Sequence, residues 1–252
     1  MNIITLDQTN LDTEHICCAI TEKKGESCVA SKKAWMCERF AEGYVFKKAD
    51  VRGKVFVEYT PAENAWCPIE AEGYLFIDCF WVSGQYKGQG YASALLEECI
   101  SDAKAQNKKG LLALSSSKKM PFLSDANFYN HKGFAVCDTA PPYYELYCLR
   151  LDETAELPKF RESVKQGGID EQGVVLYYSD HCPHNAKYVP LIQGIAEERG
   201  VPFAVHKITT KKQAQNAPAP FTTYSMFYNG KFITNEIFSD KKFVKFLEEK
   251  GL

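Results

Sequence analysis

The sequence QYKGQG, residues Gln85–Gly90, lies between a strongly apolar stretch, Gly73–Val82, and a stretch with helical spacing of apolar residues, Tyr91–Gln106. Two glycines at this spacing let the backbone turn sharply and approach a ligand closely. A helix that follows would direct its free N–H groups and the positive end of its dipole at the loop. A strand, a glycine loop and a helix N-terminus in this order predict a binding site for a pyrophosphate.

Two common phosphate-binding loops do not fit this stretch. A P-loop continues from its last glycine with Lys and Ser or Thr, whereas Tyr91 and Ala92 follow Gly90 here. A dinucleotide-binding loop needs a third small residue, for which Ser93 fits poorly, and an acidic residue at the end of the next strand. The expected strand Leu111–Leu114 runs instead into three serines.

A third kind of loop fits. Gln85, Gly88 and Gly90 resemble the Q/R-x-x-G-x-G/A signature of the GNAT acetyltransferase superfamily. Downstream, Tyr129–Phe134 resembles the Tyr-x-x-x-Gly-Phe segment of the same superfamily. The resemblance covers about residues 1–150 and implies an α/β GNAT fold with a central mixed sheet.

The periodicity of the apolar residues predicts the individual helices and strands of this domain. The expected helices are Leu11–Ile20, Lys32–Ala41, Tyr91–Gln106 and Phe122–His131, and the expected strands are Tyr44–Lys48, Lys54–Tyr59, Gly73–Val82, Leu111–Leu114, Phe134–Cys137 and Tyr143–Leu149.

The resemblance implies acetyl-CoA as cosubstrate, held where the parallel strands Leu75–Val82 and Leu111–Ser115 splay apart. The residues expected at the cosubstrate are Phe80, Trp81 and Val82 through their backbone, Gln85, Tyr86, Lys87, Gly88, Gln89, Gly90 and Tyr91 at the pyrophosphate, and Asn127. Asn127 is included because the position at which the family often carries Asn falls at Phe122 here.

Two proton-transfer roles follow from the same resemblance. Tyr129 would protonate the departing CoA thiolate, since a phenol has a pKa of about 10, close to that of a thiol. Its alternative role is packing beside the cosubstrate cleft. Asp78 is the candidate general base, because a carboxylate inside an apolar strand is either paired or has a raised pKa. Glu58 and Glu72 are rival bases, and a structural hydrogen bond is an alternative for each.

Strand alternation places the Asp78 side chain on the same face as Phe76 and Phe80. All three would then border the same cleft.

The rest of the chain predicts a charged linker, residues 151–172, and a smaller α/β domain, residues 173–252. Leu157, Phe160 and Val164 could form one apolar helix stripe in the linker, which would dock the second domain beside the acceptor side of the cleft. The second domain shows strands at Val174–Tyr178 and Phe203–Ile208. The remaining expected elements are helices at Ala186–Arg199 and Lys241–Lys250 and a hairpin, Tyr224–Tyr228 with Lys231–Thr234, around Asn229-Gly230.

This second domain resembles the YoaP-like region of some acetyltransferases, in Phe221–Ser225 and Phe227–Phe232. Its entry, Val174–Asn185, also resembles the strand-to-helix turn of thioredoxin-like domains, with Asn185 in place of the second redox cysteine. Ala219-Pro220-Phe221 resembles the cis-proline turn of that family.

Cys182 is the chemically distinctive residue of the second domain. It stands at a helix N-terminus between His181 and His184, which favours a reactive thiol. Two alternatives remain, a soft-metal ligand set and simple packing. Because three neighbouring ligands seldom converge on one ion, no metal site is predicted.

Composition limits the partners. The chain has 252 residues, of which 45% are apolar and 25% charged, with a formal net charge of −2. This balance gives no electrostatic reason to expect nucleic acid or a membrane as partner, and no apolar run approaches the ~20 residues of a membrane span. With 10 Cys and no recognisable export signal, we expect reduced thiols and a cytoplasmic protein. No feature of the sequence indicates the oligomeric state.

These observations predict an N-acetyltransferase that acts on a small amine or an amino-acid-like molecule. The alternative is a thiol-dependent binding or redox module whose first domain senses acyl-CoA. A third possibility is transfer to protein lysines, for which the near-neutral charge gives no support.

Overall fold

The computed structural model describes residues 1–16 and 26–252. The strands are β1 Ile3–Leu6, β2 Val45–Ala49, β3 Val55–Pro61, β4 Ile69–Glu70, β5 Tyr74–Val82, β6 Gly110–Ser116, β7 Ala135–Ala140, β8 Tyr144–Arg150, β9 Lys159–Phe160, β10 Val174–Tyr178, β11 Phe203–Lys207, β12 Tyr224–Tyr228 and β13 Lys231–Thr234. The helices are α1 Cys28–Phe40, α2 Tyr91–Ala105, α3 Ala126–His131, α4 Pro183–Glu198, α5 Lys211–Gln215 and α6 Asp240–Lys250.

A seven-stranded sheet in the order β1-β2-β3-β5-β6-β8-β7 forms the first unit. Strands β5 and β6 run parallel, whereas the other neighbours are antiparallel. The sheet is therefore mixed, and the predicted α/β fold with a central mixed sheet is confirmed.

Helix α2 covers one face of this sheet. Its buried residues Leu95, Leu96, Cys99 and Ala103 follow helical spacing and pack against β5 and β6. The opposite face is covered by α1 and by the second unit: Trp35 and Met36 share one buried cluster with Ile208 and Ala214.

The second unit contains a four-stranded sheet in the order β11-β10-β12-β13. Strands β10 and β11 are parallel and connected through α4, and the remaining pairs are antiparallel. Helices α4 and α6 pack on this sheet through Val189, Ile192 and Phe243. The hairpin predicted at Asn229-Gly230 is confirmed, with φ of 47° and 79° at the two turn residues, as a two-residue hairpin turn of this type requires.

The two units are joined by buried polar contacts. Asn235 is fully buried and accepts a hydrogen bond from the Tyr143 hydroxyl at 2.5 Å, while its amide donates to the Pro121 carbonyl at 2.6 Å. Buried groups of this kind are satisfied only when both units are in place, so they fix the relative position of the units.

The segment 151–172 differs from the prediction. It contains no apolar helix stripe, because Phe160 lies in β9, which pairs with β4, and Val164 ends a short 3₁₀ turn. Both side chains are buried, whereas Leu157 is 55% exposed. The predicted stripe is wrong, but the segment is docked along its length rather than free.

Two further expectations need correction. Helix α3 begins at Ala126, not at Phe122, because Phe122 has a φ of 62° and the Asp125 carboxylate caps the helix by accepting from Asn127 N–H. Of the helix expected at Leu11–Ile20, residues 11–13 form turns, and residues 17–20 lie outside the described residues. The helix expected at Lys32–Ala41 is α1, which starts four residues earlier and ends at Phe40.

The cis-proline turn expected at Pro220 is also wrong. The cis peptide bond among the described residues joins Pro141 and Pro142. No helix in the described part of the chain is long and apolar enough to cross a membrane.

Candidate active site

The glycine loop leads directly into α2, as predicted. Gly88 and Gly90 have φ of 75° and 84°, a region in which side chains other than glycine are strained. A Cβ at either position would meet no described atom within 4 Å, so the loop is open on the side where these carbons would point. Gly90 caps α2 without a side-chain hydrogen bond, which leaves the N–H groups of the first helical turn for a ligand.

Side chains of the loop hold it in shape. The Gln89 amide donates to the Gln85 carbonyl at 2.7 Å. The Tyr86 ring packs edge-on against Tyr91, with 5.6 Å between the centroids. Lys87 is exposed and stands beside the glycines. The backbone cradle and its adjacent lysine fit a pyrophosphate.

Strands β5 and β6 separate beyond their fourth residue pair. Their ladder runs from Tyr74 opposite Gly110 to Ile77 opposite Ala113, and β5 then continues to Val82. Within the described residues, the β6-facing edge of Phe80, Trp81 and Val82 therefore has no ladder partner. The splay provides free backbone groups for an extended ligand such as a pantetheine arm.

A β-bulge interrupts β5 at Asp78. Cys79 pairs with Glu58 and Ile77 pairs with Tyr59, so Asp78 is the extra residue. Phe80 consequently packs with the α2 core, whereas Phe76 packs in a different cluster on the other side of the sheet. The expectation that Phe76 and Phe80 share one face with Asp78 is wrong, because the bulge shifts the alternation by one residue.

Asp78 has the chemical state expected of a general base. Its Oδ2 is fully buried with no hydrogen-bond partner among the described residues, and Asp78 is one of the residues that line a cavity. Burial, followed by the nearby Glu58 charge, raises the pKa of Asp78 well above its ordinary range. A carboxyl of this kind gains from accepting a proton.

Glu58 is in the opposite state. Its Oε2 accepts hydrogen bonds from Lys32 Nζ at 2.6 Å and from the Tyr44 hydroxyl at 2.5 Å, and lies 3.0 Å from His181 Nε2. Although burial alone would raise the pKa of Glu58, the charge of Lys32 and the hydrogen bonds from His181 and Lys32 lower it to about 2. Glu58 is thus an ion-pair partner and a poor proton acceptor at neutral pH. Glu72, the other rival base, is exposed and lies outside the cavity.

His181 brings the second unit into this network. Because a carboxylate only accepts, His181 Nε2 carries the proton that faces Glu58, and Nδ1 accepts from the Thr223 hydroxyl at 2.9 Å. Burial and the Lys32 charge lower the pKa of His181, so the ring is neutral.

Tyr129 is buried behind the site. It is 1% exposed and packs against Phe134 and Tyr147, with ring centroids 5.1 and 5.9 Å away. Burial raises its pKa, and the Ser124 side chain, its hydrogen-bonding neighbour, borders the cavity. The phenol is therefore protonated and one side chain away from the cavity. Asn127 lies on the exposed side of α3 and does not border the cavity.

A cavity of about 420 Å³ connects the two units. From the first unit it is bordered by Lys54, Glu58, Trp66, Cys67, Phe76–Trp81, Leu114 and Pro121–Ser124, and from the second by His181–His184 and Pro220–Thr223. Sequence reasoning did not single out Lys54 as a lining residue. Trp66 lies in the loop Glu58–Glu72, which was expected to contribute to the acceptor pocket, and Thr222 lies in Phe221–Ser225, one of the segments with a family resemblance.

Cys182 borders this cavity as the N-cap of α4 and is half-buried. Pro183 follows as the first helical residue. Asn185, in place of a second cysteine, is buried and donates to the carbonyls of Ser179 at 2.9 Å and Thr223 at 2.6 Å. No group of three metal-binding side chains occurs among the described residues, and both ring nitrogens of His181 are already engaged.

Comparison with known proteins identifies the family. Residues 42–136 match the model of the acetyltransferase (GNAT) domain, and residues 202–245 match the YoaP-like model. The chain is 41% identical over 247 residues to a Bacillus subtilis protein named uncharacterized N-acetyltransferase YoaP, covering 98% of both chains. The chain belongs to the YoaP family of GNAT N-acetyltransferases.

Two solved structures illustrate the wider likeness. The acetyltransferase yncA from Salmonella typhimurium, solved with acetyl-CoA, is 16% identical, with a TM-score of 0.43, over 62% of this chain and 96% of its own. A GNAT family protein from Desulfovibrio desulfuricans is 20% identical, with a TM-score of 0.38, over 49% of this chain and 77% of its own.

Family membership confirms several predictions. The chain is an N-acetyltransferase with acetyl-CoA as cosubstrate, and its acceptor is an amine. The comparisons give no support to the alternative, an acyl-CoA sensor with a thiol-dependent module.

Proposed function

We propose that this N-acetyltransferase acetylates the amine of a small molecule bound in the cavity between the two units. One observation carries the proposal: the cavity is bordered by Asp78, whose Oδ2 has no hydrogen-bond partner among the described residues, and by Phe80 and Trp81 at the splayed end of β5. The cavity therefore brings a proton acceptor close to the expected path of the thioester. The enclosure by the second unit favours a small amine over a lysine on a protein surface.

Acetyl-CoA supplies the activated acetyl group. The N–H groups at the loop Gly88–Gly90 would bind its pyrophosphate, and the free edge of β5 would orient its pantetheine arm. Holding the thioester beside the amine supplies much of the rate. The cavity wall excludes water from both reactants.

Three side chains would move the protons. As the bond between nitrogen and the acetyl carbon forms, Asp78 takes a proton from the amine. As the bond between carbon and sulfur breaks, the Ser124 hydroxyl, which borders the cavity, would give its proton to the CoA thiolate and take one from Tyr129. The raised pKa of each group keeps Asp78 receptive and Tyr129 protonated.

The second unit is proposed to be thioredoxin-like. Support comes from its order of elements, β10-α4-β11-α5-β12-β13-α6, and from Cys182 at the N-terminus of α4. With Asn185 at the second cysteine position, its role would be to complete the acceptor pocket. We place the domain limits at residues 1–150 and 173–252, with residues 151–172 between them, and the enzyme in the cytoplasm.

Isothermal titration with acetyl-CoA, followed by a thiol-release assay with a panel of small amines, tests the proposal. We expect binding and release of CoA with at least one amine. Absence of binding at millimolar acetyl-CoA would refute the site. Binding without turnover on any amine, but with turnover on protein lysines, would refute the small-molecule acceptor.

A further inference from the structure

Two basic side chains face the cavity without an anionic partner. Lys54 immediately precedes β3 in the first unit, and His184 lies in the first turn of α4 in the second unit. Both are half-buried. Within the described residues, neither forms an ion pair, whereas the other basic groups of the network, Lys32 and His181, share Glu58.

The surroundings of His184 are positive. Burial lowers its pKa first, followed by the charges of Lys54 and Lys187, and no carboxylate of the described residues is among the causes. The charge of Lys187 is compensated by Glu26, whose Oε1 lies 2.9 Å from Lys187 Nζ. The N-terminus of α4 adds a positive dipole end, since Cys182 provides no side-chain cap. The Lys54 ammonium and the helix end are positive, and the His184 ring can donate an N–H hydrogen bond, so the three together complement an anion.

This basic end lies away from Asp78. The Ser83 N–H donates to the Lys54 carbonyl, which places Lys54 beside the end of β5. Five residues of extended chain separate Asp78 from Ser83, about 16 Å at roughly 3.3 Å per residue. Both side chains reach into one cavity, so their polar ends are closer than this, yet further apart than the amine and carboxylate of an α-amino acid.

The surface that connects the two ends is apolar and aromatic. Trp66, Phe76, Trp81, Phe122 and Phe221 all border the cavity. Rigid aromatic walls accommodate a flat or extended apolar body.

We propose that the acceptor is an elongated amine with an anionic group, such as a carboxylate, remote from the amine, and that Lys54 and His184 bind this group. The inference rests on the proposed function and adds the acceptor class to it. The amine lies at Asp78, an apolar or aromatic body fills the cavity, and the anionic group lies where the two units meet.

Matched acceptors test this class. 4-(Aminomethyl)benzoate and benzylamine differ in one carboxylate, and phenylglycine has its carboxylate next to the amine. We expect kcat/KM for 4-(aminomethyl)benzoate to exceed that for the other two by at least tenfold. Lys54→Gln and His184→Gln should each reduce this preference about tenfold through KM. Lys187→Gln, which removes a neighbouring but compensated charge outside the cavity, should retain it.

A binding measurement without turnover complements the kinetics. 4-Methylbenzoate, which lacks an amine, should raise the pKa of His184 in an NMR titration of the wild-type protein, because an anion stabilises the imidazolium. No shift with saturating probe would overturn the inference.

Two further results would overturn it. Equal kcat/KM for 4-(aminomethyl)benzoate and benzylamine would remove the anionic group from the acceptor class while leaving the proposed acetylation of small amines intact. A loss of acetyl-CoA affinity in Lys54→Gln as large as the loss of acceptor affinity would assign the basic pair to a phosphate of the cosubstrate. Failure to bind acetyl-CoA at all would refute the proposed function itself.

Discussion

At the scale of single residues, two neighbouring carboxyls have opposite states. Glu58 is held ionised by Lys32, Tyr44 and His181. Asp78 has no partner for Oδ2 within the described part of the chain and is further disfavoured as an anion by the Glu58 charge. When the surroundings of two titratable groups shift their pKa values in opposite directions, the difference identifies the group that is suited to proton transfer. The ion pair therefore prepares Asp78 without taking part in the chemistry.

Asp78→Asn should lower kcat by about 10²-fold or more, the usual effect of removing a general base. In the wild type, activity should rise with pH as Asp78 loses its proton, with a midpoint well above that of an ordinary carboxyl because the pKa of Asp78 is raised. The pH profile of kcat/KM measures both effects. Glu72→Gln, at an exposed carboxylate, is the control, and equal losses in the two variants would remove Asp78 from the reaction.

Tyr129→Phe should lower kcat while acetyl-CoA affinity stays near that of the wild type. The ring keeps its packing against Phe134 and Tyr147, and only the proton donor is lost. Single-turnover kinetics together with titration of acetyl-CoA separate the two quantities. Unchanged turnover would mean that Tyr129 serves packing alone.

Cys182→Ser distinguishes a wall residue from a reactive thiol. We expect less than a threefold change in kcat/KM, because the side chain borders the cavity but the proposed reaction does not use it. The measurement is acetyl transfer to the preferred amine, with mass spectrometry of the wild-type protein for acetyl-Cys182. A large loss accompanied by acetylated thiol would place Cys182 on the reaction path.

At the scale of elements, the glycine loop and the splayed strands form the proposed cosubstrate site. Gly88→Val and Gly90→Val should each abolish detectable acetyl-CoA binding, because valine is strained at these positive φ values and its side chain would enter the open cradle. Titration calorimetry is the measurement. Gly84→Ala is the matched control, since Gly84 also has open space around its Cβ position but no positive φ. Normal binding in either valine variant contradicts the loop assignment.

The elements that were predictable are those governed by local pattern. The loop, β5 and α2 follow from glycine spacing and apolar periodicity, and the hairpin follows from Asn229-Gly230. The bulge at Asp78 was not predictable, since the residues on both sides of it are apolar and fit a regular strand equally well. Phe160 and Val164 were assigned to a helix because their spacing suits one, but pairing of β9 with the distant β4 overrides local pattern.

At the scale of the whole molecule, the cavity proposed as the acceptor site exists because the units dock. Trp66 and Phe122 come from one unit and Thr222 and His184 from the other, so neither sequence segment alone contains the pocket. No motif predicts such a surface, because it depends on how two sheets and their helices meet. The contacts at Asn235 and His181 are the specific evidence for a fixed arrangement.

The folded protein, in which His181 joins the two units, should be less stable in acid. The pKa of His181 is lowered from its ordinary value of 6.5 by burial and by Lys32. Below pH 6.5 the unfolded chain therefore binds a proton that the folded protein does not, and the stability due to neutral His181 is lost as pH falls through the lowered pKa. We expect the melting temperature to fall between pH 7 and pH 5, and to fall less in His181→Gln. Equal slopes would contradict this coupling.

The extra residue in β5 also governs how related chains should be aligned. Before Asp78, the odd-numbered residues Leu75 and Ile77 pack beneath α2; after it, the even-numbered Phe80 takes that place and Trp81 points outward. Within this one strand, the positions that require an apolar side chain thus change from odd-numbered to even-numbered residues. If an alignment places the gap one position away from the bulge, core residues are matched with residues proposed to face the substrate, as far as Val82. Comparisons of acceptor preference across the family therefore depend on placing the bulge correctly.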